Sequence, residues 1–499
     1  MSSDAVRAAG YSQLVKQYGL AVLPHWHESY IGATSAHRIE RADNTVRETY
    51  PARYWPGEAL GDQLEFALKY DGVNLLILAR LVRAVPQDAI AEYVQSKPNG
   101  KYARRLWYLY ELLTGSRLPL ADATQGNYVD LLEPDMYSTT PGKQVPRQRI
   151  RDNLLGDARF CPIVRRTDRL TAFEQSDLAE RCRRLIEEYP VELLKRALAY
   201  LYTKESKSSF EIEHIKPSPN RTERFVALLQ LAEKEDFFLK PALIDLQNRI
   251  VDERFKETDY RSNQNYVGES VAWQSERVHF VSPKPGDLPD LMGGMFASHA
   301  RMGSSMLHAV IHAAVIAYGF VFMHPFEDGN GRIHRFLIHN ILARRGFTPT
   351  GIMFPVSAAM LKRMEDYDAS LEAFSKPLLP LVEYDLDEQG RMKVQNETAD
   401  FYRYIDLTAQ AESLFDFIRQ TIEVELVEEL RFLVNYDAAR HAIQEVVDMP
   451  DRRIDLFIRF CLQNHGRLSK RKREEFFSML NDDEVMKMES AVQNAYHAE

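Results

Sequence analysis

The chain has 499 residues, which at roughly 150 residues per domain allows two to four domains. Its 45% hydrophobic and 27% charged content is that of an ordinary soluble protein with enough apolar mass for a large core. The net charge of −9, from 63 basic and 72 acidic residues, argues against general attraction to nucleic acid or membranes. Cys161, Cys182 and Cys461 are far apart and odd in number, with neither metal spacing nor a disulfide framework, so a reducing, cytoplasmic setting is expected. The opening MSSDAVRAAGYSQLVKQYG lacks the apolar core of a signal peptide.

Taken in chain order, the pattern predicts a mainly helical, all-α protein. Residues 1–58 read as irregular. Helical patterns dominate 59–114, where Tyr102, Leu106, Leu109, Tyr110 and Leu113 recur at helical spacing and Gly115 ends the run. The segment 115–150 reads as loop. Two helices are expected over 172–204, broken near Pro190, and two more over 221–235 and 239–256. The strand candidates YVG and VHFV fall within 264–283 and close a small hairpin. A buried helix follows at about 303–323; its most apolar part, 308–323, is too short to span a bilayer comfortably. A second helix covers about 331–345 and stops at Gly346, and the tail from 400 is helical again.

Between those last two helices stands HPFEDGNGRIHRF, residues 324–336. Gly329-Asn330-Gly331 can turn sharply, because glycine tolerates positive φ and asparagine nearly does. The helix that begins there offers free N–H groups and a dipole to a phosphate. Arg332 and Arg335 are three apart, so both flank the same helix end, and guanidinium groups grip phosphate through paired hydrogen bonds. Asp328 beside this cradle is suited to Mg²⁺, which takes one or two carboxylates plus substrate phosphates. His324 is suited to taking a proton from a hydroxyl near neutral pH. Phe326 has the character of an inward anchor. The combination suits transfer of a phosphate-bearing group from a nucleotide to a hydroxyl, a reaction that needs positioning and charge neutralisation more than a covalent intermediate.

The stretch resembles the signature of the Fic family, His-x-Phe-x-Asp/Glu-Gly-Asn-Gly-Arg-x-x-Arg, and every fixed position is filled. The resemblance implies a Fic-type helical core with a short β-hairpin flap, over about 195–375, flanked by helical N- and C-terminal regions. We therefore divide the chain as 1–190, 191–390 and 391–499. It also implies a protein adenylyltransferase that moves AMP from ATP to a Ser, Thr or Tyr hydroxyl of a target protein. In that picture His324 is the base, Asp328 carries Mg²⁺, and Asp328, Gly329, Asn330, Gly331, Arg332 and Arg335 hold the nucleotide. Self-modification and homodimerisation are further expectations of the family.

Upstream, SSFEIEH (208–214) resembles the family's inhibitory Ser/Thr-x-x-x-Glu-Gly/Asn motif, with Ser209 and Glu213 on one helical face. There the glutamate pairs with the second arginine, here Arg335, and blocks the γ-phosphate. His214 departs from the family's Gly or Asn, which bears on the tightness of the helix end and the strength of inhibition. On the flap, where target segments pair as an added strand, Val267 and Gly268 are the candidate backbone contacts. Tyr367 sits where the family often has a tyrosine near the nucleotide.

Related Fic chemistries remain as alternatives: removal of AMP, or transfer of UMP, phosphocholine or phosphate. Arg335 disfavours phosphate transfer, since it seats the terminal phosphate in the AMP-transfer orientation. A non-catalytic nucleotide-sensing regulator whose C-terminal helices bind DNA is the remaining alternative, disfavoured by the net charge. The paired imidazoles of HWH (25–27) lack a nearby ligand set and read as structural. The basic GRLSKRKREEFF (466–477) reads as the solvated start of a helix.

Overall fold

The computed structural model describes residues 6–33, 35–42, 45–272 and 275–497. Most of them are helical, and one large hydrophobic core runs from Tyr11 to Leu430 with no interruption at 190 or 390. A second, smaller core spans Ala439 to Val492, where the helices Leu426–Val446, Asp451–Leu462 and Asp482–His497 pack on one another.

The N-terminal region departs from the expected pattern. Strands β1 (Arg7–Ala9), β2 (His27–Ile31), β3 (Arg38–Ala42) and β4 (Thr45–Tyr50) form one sheet in the order β1-β2-β4-β3, with β2 and β4 parallel. Residues 115–150, expected as loop, contribute to a second sheet of β5 (Val129–Asp130), β6 (Lys143–Val145) and β7 (Ile150–Asp152). Such strands are too short to show a period, and β3, RIERA, is exposed along its whole length, so no alternation marks it. The HWH imidazoles serve this sheet. His27 is buried between Asp71 (3.3 Å) and Glu48 (2.7 Å), and His25 bonds the Asp71 carbonyl at 3.0 Å. Among the described residues no three His, Cys, Asp or Glu side chains are grouped to hold a metal.

The helices that position the loop at 324–330 follow the sequence closely. Pro190 caps a long helix, Val191–Glu211. Helices Pro219–Leu231 and Lys240–Ile250 come next, then the hairpin of β8 (Tyr266–Ala272) and β9 (Ser275–Val281). The helix expected over about 303–323 is Ala309–Met323, and a further helix, Leu288–Gly303, precedes it. Ala309–Met323 is apolar on every face, so it is stable only when surrounded, and it runs through the middle of the core. Helix Asn330–Arg344 packs against it, with His334 donating from Nδ1 to the Ala317 carbonyl at 2.8 Å. None of the described helices is long and apolar enough to cross a membrane. Cys161, Cys182 and Cys461 are buried free thiols.

Candidate active site

The buried helix ends at His324, which takes the left-handed conformation (φ 48°) and closes the last turn with its N–H on the Phe320 carbonyl at 3.0 Å. The His324 Nδ1 lies 3.1 Å from the Val321 carbonyl. A carbonyl can only accept, so Nδ1 carries the proton and Nε2 keeps its lone pair. Burial pushes the imidazole pKa down to about 4; the Val321 carbonyl raises it, nearby Arg261 lowers it, and Asp328 raises it. The ring is therefore neutral at pH 7, the form a base requires.

After His324 the chain turns sharply. Phe326 is fully buried against Tyr260 and Phe320, which at about 2–3 kcal/mol for a buried aromatic anchors the loop. Asn330 staples the turn: its Oδ1 accepts the Phe326 N–H (3.1 Å) and its Nδ2 donates to the Phe326 carbonyl (2.7 Å). The Asn330 side chain thus serves to hold the loop in shape. Gly329 starts the next helix at φ 92°, where a Cβ would also meet Val251 at 2.9 Å. Glu257 Oε1 accepts the Glu327 N–H at 2.9 Å, and burial raises that carboxyl's pKa.

The two arginines of the loop are almost completely buried, at 0% and 2% exposure, and converge on one carboxylate. Glu213 places Oε2 at 2.7 Å from Arg332 Nε and Oε1 at 2.7 Å from Arg335 Nη2. Arg335 also donates to Ser209, from Nε to the hydroxyl (2.9 Å) and from Nη2 to the carbonyl (2.6 Å). Arg332 reaches Asp328 Oδ1 at 2.5 Å. Gly331 makes the room: a Cβ there would lie 2.5 Å from Glu213 Oε1. The carboxylate therefore sits against the first turn of the helix, on the ground a phosphate would take.

Glu213 is presented by the end of helix Val191–Glu211. The Ile215 N–H bonds the Phe210 carbonyl (3.0 Å) and the His214 N–H bonds the Glu211 carbonyl (2.8 Å), a Schellman closure. Its left-handed residue is His214 (φ 55°). Histidine occupies that region more readily than most L-residues, though less readily than glycine. The departure from Gly or Asn leaves the closure formed, at a conformational cost. Below it, fully buried Glu205 accepts from His339 (2.7 Å) and from the backbone N–H of Ser357 (2.8 Å), so the presenting helix is fastened to helix Asn330–Arg344 one turn away.

Residues 237–342 match the Fic/DOC family. This segment is a Fic domain. Over 121 residues the chain is 32% identical to the protein adenylyltransferase Fic of Culex quinquefasciatus, covering 24% of this chain and 22% of that one. Against the Drosophila melanogaster protein of the same name the identity is 35% over 121 residues, with 24% and 22% covered. The chain thus spans about a fifth of the length of these relatives, the 22% just given. Among solved structures it is similar to a Fic family protein from Desulfovibrio desulfuricans G20, with a TM-score of 0.39 and 17% identity over 66% of this chain and 88% of that one. A Fic domain containing signaling protein from Bacteroides thetaiotaomicron VPI-5482 gives a TM-score of 0.38 and 18% identity, over 52% and 96%.

The flap of the Fic domain is the β8–β9 hairpin. Its tip, residues 273–274, lies outside the described residues. Val267 is exposed and, with Phe280 of β9, Val321, His324 and Leu371, lines a groove of about 530 Å³. Gly268 follows a bulge, and a Cβ there would press on the Arg277 carbonyl at 2.7 Å, so its absence lets the two strands close. Tyr367 departs from its expected place: it is buried, tilted against His334 and beside the Arg335 guanidinium, so it cannot stack on a base and instead backs the arginine. Three residues that hold this site carry no motif: Arg261, Glu205 and Glu257. An isolated Arg or Glu among polar neighbours gives no periodic signal that a sequence could reveal.

Proposed function

We propose that this chain transfers AMP from ATP to a hydroxyl of a protein and is restrained by Glu213. The observation that supports this best is the meeting, at one helix N-terminus, of a neutral imidazole, a carboxylate and two buried guanidinium groups that a second carboxylate, Glu213, already occupies. His324 Nε2 takes the proton of the incoming hydroxyl. The hydroxyl oxygen forms a bond to the α-phosphorus as the bond to the bridging oxygen breaks, and pyrophosphate leaves. Arg332, Arg335 and the backbone N–H groups of Asn330 and Gly331 hold the phosphates, and Phe326 and Asn330 fix the loop that aligns them.

Asp328 fits Mg²⁺. Its Oδ1 is engaged by the Gly329 N–H (2.7 Å) and Arg332, while Oδ2 has no partner among the described residues. One free carboxylate oxygen beside a phosphate seat is the usual protein share of a Mg²⁺ site, and the ion would neutralise phosphate charge. The target segment lies along the flap at Val267 and Gly268. The buried free thiols Cys161, Cys182 and Cys461 accord with a reducing, cytoplasmic setting, and a homodimer and self-labelling belong to the same reading.

The test is incubation of the purified protein with labelled ATP, UTP or CDP-choline and Mg²⁺, read by intact mass, beside His324→Ala. A mass gain of one AMP, absent in His324→Ala while ATP binding persists, is expected. Labelling by His324→Ala at the wild-type rate would remove this histidine from the mechanism.

A further inference from the structure

Arg261 lies just before the flap, is 3% exposed, and has no carboxylate within ion-pair distance among the described residues. A buried cation without a paired anion is costly, and burial does lower its pKa to about 10, so it still carries its charge at neutral pH. Its hydrogen bonds are all to backbone carbonyls. Nε donates to His324 (2.7 Å), Nη1 to Asn263 (2.7 Å) and Nη2 to Pro283 (2.6 Å), while its own backbone N–H donates to Pro325 (2.8 Å). Asn263 and Pro283 stand at the two feet of the flap, and His324 and Pro325 open the catalytic loop. One planar side chain therefore ties three chain segments together.

The tie falls where the backbone needs holding. His324 is a non-glycine residue in the left-handed region, a conformation that persists only where its surroundings impose it. Rotation of the His324–Pro325 peptide would carry the imidazole away from the Val321 carbonyl that sets its tautomer. Both carbonyls flanking that junction are held by Arg261, one through the guanidinium and one through the main chain.

We propose that Arg261 is a positioning residue that fixes His324 to the feet of the flap, so that the base and the surface carrying the target segment keep one geometry. The proposal rests on the reading of His324 as the base. Lysine cannot substitute, because a single ammonium cannot span three diverging carbonyls as a planar fork does.

The experiment uses the full chain carrying Glu213→Gly, with and without Arg261→Lys or Arg261→Gln; glutamine removes the buried charge and so lowers the desolvation cost of folding. Turnover, ATP affinity by calorimetry and ¹⁵N-histidine NMR are measured on each. Arg261→Lys should lower kcat on the order of 10²-fold while ATP affinity stays within about threefold, since the phosphates are held elsewhere. The His324 signal, a single Nδ1–H tautomer in the parent, should become a tautomer mixture in both variants. A kcat within about threefold of the parent, or an unchanged tautomer in a folded variant, would overturn the proposal. Should the parent itself transfer no AMP, the reading of the function fails, and the tautomer still decides the role of Arg261.

Discussion

Glu213→Gly probes the restraint directly. Glu213 contacts two guanidinium groups at 2.7 Å each, and its own side chain is 24% exposed. Breaking a fully buried ion pair costs about 3–5 kcal/mol, and the partial exposure of Glu213 brings that toward about 2–3 kcal/mol. Neither arginine is left adrift, because Arg332 keeps Asp328 and Arg335 keeps both oxygens of Ser209. On the proposed reading, an ATP phosphate that enters this seat has to displace the same carboxylate, so wild type would hold ATP in the reactive geometry only against a similar penalty. At about 1.4 kcal/mol per factor of ten, removing it should raise AMP transfer on the order of 10²-fold. The assay is the initial rate of labelling by intact mass at saturating ATP, for wild type, Glu213→Gly and Glu213→Gly/His324→Ala. Without nucleotide, Glu213→Gly should melt below wild type, and Mg-ATP should narrow that gap. Equal rates for wild type and Glu213→Gly, with transfer measurable in both, would refute inhibition by this carboxylate.

Further outcomes follow from the same geometry. His214→Gly relieves a left-handed residue, worth about 1 kcal/mol, so it should tighten the presenting helix end and lower the wild-type transfer rate about fivefold; it should have no such effect in the Glu213→Gly background. Because burial holds the His324 pKa at about 4, the neutral base persists as pH falls. Transfer by Glu213→Gly should then hold nearly constant down to about pH 5, where an unperturbed histidine would be only about 3% neutral; a pH–rate profile with its acid limb centred near pH 6.5 would contradict this. Asp328→Ala should abolish the Mg²⁺ dependence of ATP binding in titration calorimetry and, with it, transfer; an unchanged Mg²⁺ dependence would exclude Asp328 as the ligand.

Sequence by itself determined the motif stretch and most of the helices around it, because both are local. Residues 324–335 are read through turn chemistry and spacing within four turns of chain, and the break at Pro190, the stop at Gly115 and the hairpin after Gln264 each depend on neighbours a few residues away. The pairing of Glu213 with Arg335 was legible only through the family resemblance, since its partners are 122 residues apart. Only the tertiary structure decided what each motif residue is free to do. It bonded the Asn330 side chain to Phe326, turned Tyr367 inward to back Arg335, and set His214 at the left-handed end of its helix. It likewise decided the two N-terminal sheets, whose short strands gain their stability from partners rather than from their own pattern, and it brought Arg261 to His324 across 63 residues. Hydrogen bonds to backbone carbonyls impose no residue type on the segment that supplies them, so nothing in the sequences around Asn263, Pro283 or His324 announces the guanidinium that joins them.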